Sequence, residues 1–200
     1  MEWRDGIDVL RPLYQRARLL KLDRNTGWVS GARHVPSPNH DDRPPGTDVD
    51  LLVIHGISLP PGRFGGDCVE RFFTNALSPE EHPFFRGIAS MRVSAHLFLR
   101  RDGTVVQFVS LYKRAWHAGA SSFRGRQRCN DYSIGIELEG TDTLAYTARQ
   151  YRRLAAVGRL LMRHFPRITP ERMVGHDEVA PGRKTDPGPA FDWQRFRAAL

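Results

Sequence analysis

The segment Val49-Asp50-Leu51-Leu52-Val53-Ile54 constrains the fold more than any other stretch, because it is a short continuous run rich in branched apolar residues. Such a run suits a strand buried on both faces, and a sheet buried on both faces is covered by helices. It ends at His55-Gly56, which brings a titratable side chain to the edge of a sheet. Tyr132–Leu138 (YSIGIEL) reads as a second strand, and Arg172–Gly175 as a short third one that delivers His176. Alternation along the second strand puts Glu137 on the face opposite Ile136 and Leu138, with Glu139 on the same face as Glu137.

The segments between these strands carry their own signals. Val93–Arg100 and Thr104–Val109 flank Arg101-Asp102-Gly103, where Asp-Gly supplies the positive φ of a tight turn, so a β-hairpin is expected. In Thr147–Phe165 the residues Tyr151, Leu154, Ala155, Gly158, Leu161, Met162 and Phe165 recur at helical spacing. Thr147 and Gln150 form a capping box there, and Pro166 stops the helix. Cys68–Phe73 and Pro79–Ile88 also read as helices, the latter with Ser78 as N-cap, and Asp192 caps a last helix running to Leu200. The expectation is one α/β domain over residues 27–200, a mixed sheet flanked by helices. Residues 1–26 read as an N-terminal extension with at most one short helix, and the coil from Gly27 to Asp50 (VPSPNHDDRPPGTD within it) must be held by packing.

Composition narrows the function classes. With 200 residues there is material for one core. No run approaches the roughly 18 apolar residues of a membrane span, and the start MEWRDGIDVLRPLYQRAR has no apolar signal region, so no membrane partner and a cytoplasmic location are expected. Cys68 and Cys129 are too few for a disulfide framework or a four-cysteine zinc site, which leaves histidines and carboxylates for any metal. The net charge of +8 lies wholly in residues 51–200, and Arg124, Arg126 and Arg128 are its best local cluster for nucleic acid. No basic stripe with interleaved aromatics accompanies it, and an anionic small substrate explains the charge equally well, so no nucleic-acid partner is expected. His55, His176 and Asp186 stand out as candidate metal ligands. Each histidine follows an apolar strand, and Asp186 lies in the Pro/Gly-dense loop APGRKTDPGPAFDW. Taken singly, each histidine reads more readily as a satisfied or solvated imidazole than as a ligand.

Six segments taken together carry a resemblance: VIHGISLPPGRFGG, HPFF, RVSAHLFLRRDG, KRAWHAG, RCNDYSIGIELEGTDTLAYT and GHDEVAPGRKTDPGPAFDW, which cover most of residues 51–193. In that order they are similar to the cytoplasmic anhydromuramyl-peptide amidases, the AmpD-type zinc N-acetylmuramoyl-L-alanine amidases. The resemblance implies a mixed sheet flanked by helices, as in peptidoglycan recognition proteins. It also implies one zinc held by His55, His176 and Asp186, and hydrolysis of the bond between (anhydro)muramic acid and L-alanine in small soluble muropeptides; a monomer is expected. Glu137 in GIELEG takes the general-base role and Lys184 in KTDPG stabilises the oxyanion; no tyrosine stands beside His96, where Ala95 is found. Trp116 and His117 are implied as walls of the substrate cleft, and Arg92 and Arg128 as anion-binding arginines. Glu139 reads as a salt-bridged or supporting carboxylate, and His34, His40, His82 and His164 as structural or solvated. One departure stands out: Gly56 follows the first ligand where these amidases usually carry Asn. The rival reading is a non-catalytic muropeptide binder on the same fold, for which a missing ligand would be the mark.

Overall fold

The computed structural model describes residues 19–200. Its centre is a six-stranded sheet of β1 (Arg33–His34), β2 (Leu51–Ile57), β3 (Leu97–Leu99), β4 (Val105–Gln107), β5 (Ser133–Glu139) and β6 (Met173–Gly175), in the spatial order β6-β2-β5-β3-β4-β1. Strands β6, β2, β5 and β3 are mutually parallel; β4 pairs antiparallel with β3 through the expected hairpin, and β1 lies parallel to β4. The sheet is therefore mixed, as the sequence indicates. Helices α1 (Cys68–Phe73), α2 (Ala148–His164), α3 (His176–Val179) and α4 (Trp193–Ala198) complete the α/β domain.

The heptapeptide Ser133-Ile134-Gly135-Ile136-Glu137-Leu138-Glu139 shows why this sheet has two different faces. Ile134, Ile136 and Leu138, with Leu52 and Ile54 of β2, join Tyr151, Leu154, Val157 and Leu161 of α2 in the main core. Full burial of each such aliphatic side chain contributes roughly 1.5–3 kcal/mol. The alternate residues Ser133, Gly135, Glu137 and Glu139 turn to the other face. There Leu51 and Val53 of β2 pack with Ala118, Phe123, Cys129 and Tyr132 from the loop that covers it. Helix α2 has the expected capping box, with Thr147 and Gln150 exchanging side-chain and main-chain hydrogen bonds. The Asp192 carboxylate accepts from Arg195 N to cap α4.

Several boundaries differ from the sequence expectation. Strand β2 continues through His55 to Ile57, so His55 lies within the strand rather than at its end. The helix expected over Pro79–Ile88 is a short 3-10 turn, Pro83–Gly87, with His82 and not Ser78 as its N-cap. The cause is Pro83, which disfavours helical backbone at the residue before it and leaves His82 extended at φ −157° and ψ 141°. The domain also begins ahead of Gly27: Lys21–Leu22 pairs with Val29–Ser30, and Leu20 is buried in the main core. A boundary at 26/27 therefore cuts a two-stranded ribbon, and the short helix considered for the extension lies outside the described residues apart from Leu19 and Leu20. The coil up to Asp50 is held by half-buried Arg43, whose guanidinium donates to the carbonyl oxygens of Asn130, Asp131 and Ser133. No helix among the described residues is long and apolar enough to cross a membrane.

Candidate metal centre

Three adjacent parallel strands bring the candidate donors together. His55 lies in β2, Glu137 is its register partner in β5, and His176 opens α3 directly after β6. Asp186 enters from the loop that follows, which is fixed at several points. Asp177 N donates to Asp186 O at 3.0 Å, Tyr146 Oη to Pro187 O at 3.0 Å and Ala190 N to Asp142 O at 3.0 Å. His55 Nδ1 and His176 Nδ1 are 2.9 Å apart, and Asp186 Oδ2 is 3.3 Å from the first and 3.1 Å from the second. All three side chains are largely buried, His55 to 1% exposure and His176 to 3%.

Bonds of roughly 2.0–2.1 Å at tetrahedral angles place ligand atoms about 3.3 Å apart. The Nδ1, Nδ1 and Oδ2 triangle is close to that spacing, and it gathers three atoms that can each offer a lone pair. The donor set fits a small divalent cation, with nitrogen and oxygen ligands and no thiolate. Electrostatics agree. Burial pushes the His55 imidazole down to about 4, which keeps it neutral. Burial alone would raise the Asp186 carboxyl, but the His176 and His55 rings beside it outweigh that and hold the group well below the usual carboxylate range.

Glu137 stands beside this triangle with Oε2 buried and without a hydrogen-bond partner. Burial first, and then the negative charge of Asp186, push its carboxyl well above the usual value, while the Lys184 ammonium acts in the opposite direction. Glu139 is differently placed, although it shares the face. Its Oε1 accepts from Gly65 N at 2.6 Å and its Oε2 from Arg101 N at 3.0 Å, so both oxygens are used in tying two loops to the strand. Lys184 is exposed on the loop that carries Asp186.

The remaining sequence candidates fall into two groups. Trp116 is half-buried, with its main-chain N–H donating to Ser94 Oγ. Arg92 is exposed and donates to the nearby Ser90 carbonyl, and Arg128 pairs with Asp131 at 3.0 Å. Neither arginine makes a hydrogen bond to the donor set among the described residues. His117 is half-buried and held at both ring nitrogens: Nδ1 lies 3.0 Å from His55 Nε2 and Nε2 lies 3.1 Å from Ser133 Oγ. Residue spacing could not reveal this arrangement, since it depends on Gly135. A Cβ at that position would lie 2.4 Å from His117 Cγ. Gly56 has a similar local reason, as a Cβ there would lie 2.6 Å from Tyr146 Oη, the hydroxyl that anchors Pro187.

A mixed α/β sheet whose parallel strands gather two histidines and an aspartate beside a buried, unpaired glutamate defines the class of a candidate metallohydrolase. Residues 45–189 match the family model described as N-acetylmuramoyl-L-alanine amidase, and the chain belongs to that family. It is 61% identical over 174 residues to the 1,6-anhydro-N-acetylmuramyl-L-alanine amidase AmpD of Escherichia coli (strain K12), a match covering 87% of this chain and 94% of the relative. The crystal structure of a Se-Met AmpD derivative superposes with a TM-score of 0.86 at 59% identity, covering 90% of this chain and 98% of that one. AmpDh3 from Pseudomonas aeruginosa, in complex with anhydromuramic pentapeptide, aligns with a TM-score of 0.55 at 27% identity over 78% of this chain and 61% of that one.

Proposed function

We propose that the protein hydrolyses the amide bond between the lactyl group of anhydro-N-acetylmuramic acid and L-alanine in small soluble muropeptides, with zinc held by His55, His176 and Asp186. The observation that carries this reading is the convergence of three donor atoms at 2.9–3.3 Å next to the unpartnered Glu137 Oε2. Its substrate class is supported by the relatives, whose activity is named for the same bond. When bound, zinc supplies Lewis-acid chemistry at the scissile carbonyl and at the attacking water. Glu137 takes the proton of that water as its oxygen bonds to the carbonyl carbon. It then returns the proton to the alanine nitrogen as the carbon–nitrogen bond breaks. Burial strengthens Glu137 as a base, because a carboxyl held above its ordinary value is better matched to work near neutrality. Lys184, exposed on the same loop as Asp186, donates to the carbonyl oxygen as it gains negative charge. Trp116 lines the cleft, and Arg92 and Arg128 receive the carboxylates of the peptide. The protein works as a monomer in the cytoplasm, in peptidoglycan recycling.

The test is chromatography of anhydromuramyl-tripeptide incubated with the protein, with and without a chelator. Release of free tripeptide and anhydromuramic acid that stops on chelation is the expected result. Binding of the intact muropeptide without cleavage would establish the non-catalytic reading instead.

A further inference from the structure

We propose that His117 is a positioning residue for His55: it accepts the hydrogen of His55 Nε2 and thereby leaves His55 Nδ1 bare toward His176 and Asp186. The inference rests on the reading of those three residues as a metal site. A neutral imidazole carries one hydrogen, so a ring that offers Nδ1 as a ligand holds its hydrogen on Nε2. The neighbour of His55 Nε2 is His117 Nδ1 at 3.0 Å. His117 Nδ1 must then be the acceptor, which puts the His117 hydrogen on Nε2, and there Ser133 Oγ lies 3.1 Å away to receive it. The opposite tautomer of His117 would set two N–H groups against each other at 3.0 Å. Direction therefore runs one way, from His55 through His117 to Ser133.

Two further features build the arrangement into the fold. Gly135 of β5 leaves the room that the His117 ring fills, since a Cβ there would meet Cγ, Nδ1 and Cδ2 of that ring at 2.4–2.7 Å. Asn130 Oδ1 accepts from both His117 N at 3.1 Å and Ala118 N at 2.8 Å, which fixes the main chain beneath the site. Ala118 O in turn lies 3.3 Å from His176 Nε2. Two successive residues thus orient both histidine donors, His117 by its side chain and Ala118 by its carbonyl. Outer partners of this kind fix the tautomer of a metal-bound histidine, and their removal typically weakens metal binding about 10–100-fold.

The first measurement uses long-range proton–nitrogen NMR correlations of the imidazoles in the zinc-loaded protein at neutral pH. His55 and His117 are both expected as the Nε2–H tautomer, and a hydrogen on Nδ1 of His117 overturns the proposal. The second is zinc affinity by competition with a chromogenic chelator. His117→Phe fills the same space without an acceptor and should weaken zinc binding about 10–100-fold. His117→Asn, which returns an oxygen acceptor near the position of Nδ1, should recover most of that loss. Wild-type affinity in a folded His117→Phe protein overturns the proposal, and if that variant does not fold, the wild-type spectrum decides. Asp186→Ala separates the two readings. Zinc retained by that variant overturns the metal site and this inference with it, whereas zinc lost there but bound normally by His117→Phe overturns this inference alone.

Discussion

Glu137 and His55 are register partners on neighbouring parallel strands, so the distance between the buried carboxyl and the His55 imidazole is set by a ladder of main-chain hydrogen bonds. Few routes fix two functional groups more rigidly, because neither side chain depends on a loop for its position. The same ladder places Glu139 two residues on, with both oxygens already engaged.

Glu137→Gln should therefore lower turnover at least about a hundredfold while zinc stays bound, since the amide keeps the shape and loses the ability to accept a proton. Muropeptide turnover measured beside metal content checks this. If Glu139→Gln has that effect and Glu137→Gln does not, the base has been misplaced.

Glu139→Gln should instead lower stability. One oxygen becomes an NH₂ group facing a main-chain N–H, a loss of about 1–3 kcal/mol. In a chain of this size that is roughly 2–10 °C in melting temperature. A melting curve indistinguishable from wild type would show that the tether to Gly65 and Arg101 carries no energy.

Metal content gives a third prediction. The purified protein should hold about one zinc per chain, and Asp186→Ala should lose most of it. Elemental analysis after gel filtration reads both; full zinc and full activity in the variant would remove Asp186 from the site.

Acid should destabilise the fold through His96. This ring is fully buried, with Nδ1 accepting from Gly135 N at 3.0 Å and Nε2 beside Lys113 O at 3.0 Å. Burial, followed by the charge of Arg43, pushes it down to about 3. The unfolded chain takes up a proton near the ordinary histidine value of about 6.5, and the folded chain does not. Stability present above that pH is thus lost as pH falls from there toward 3, by about 2 kcal/mol at pH 5 from this residue. Glu137, raised in the fold, has the opposite sign and favours the folded state as pH falls. Urea unfolding of metal-free wild type and His96→Gln at pH 7.5 and 5 isolates the effect: the variant should lose less between the two, and equal losses would contradict the prediction.

Substrate choice is the fifth prediction. Anhydromuramyl-tripeptide should exceed the reducing-end muramyl peptide in kcat/KM by at least about tenfold, because specificity reflects differential transition-state binding. Equal values would leave amide hydrolysis standing and remove the preference for the bridged sugar.

Much of this site is legible in the sequence because its residues sit where local pattern is strongest. The apolar run before His55, the alternation around Glu137 and the Pro/Gly loop around Asp186 each announce a position, and the mixed sheet follows from the same runs. Features that depend on contacts between distant segments were not legible. The space at Gly135 that admits His117, the Asn130 clamp and the carbonyl-binding role of Arg43 join residues that no periodicity connects. Pro83 shows the complementary failure: a capping pattern at Ser78 was present, but a later proline decided where the turn begins.

The alternation of Ser133–Glu139 has a consequence for how such a site can vary over generations. A single residue gained or lost within the strand would reverse the facing of every residue on one side of it, so a change after Ser133 that left Ser133 in place would send Glu137 into the packing of α2 and Leu138 toward the cleft. Lineages can therefore alter this strand by replacing residues in place, while changes of length are confined to the connecting loops. Diversification in reach and shape of the cleft is thereby separated, at the level of heritable change, from the chemistry beneath it.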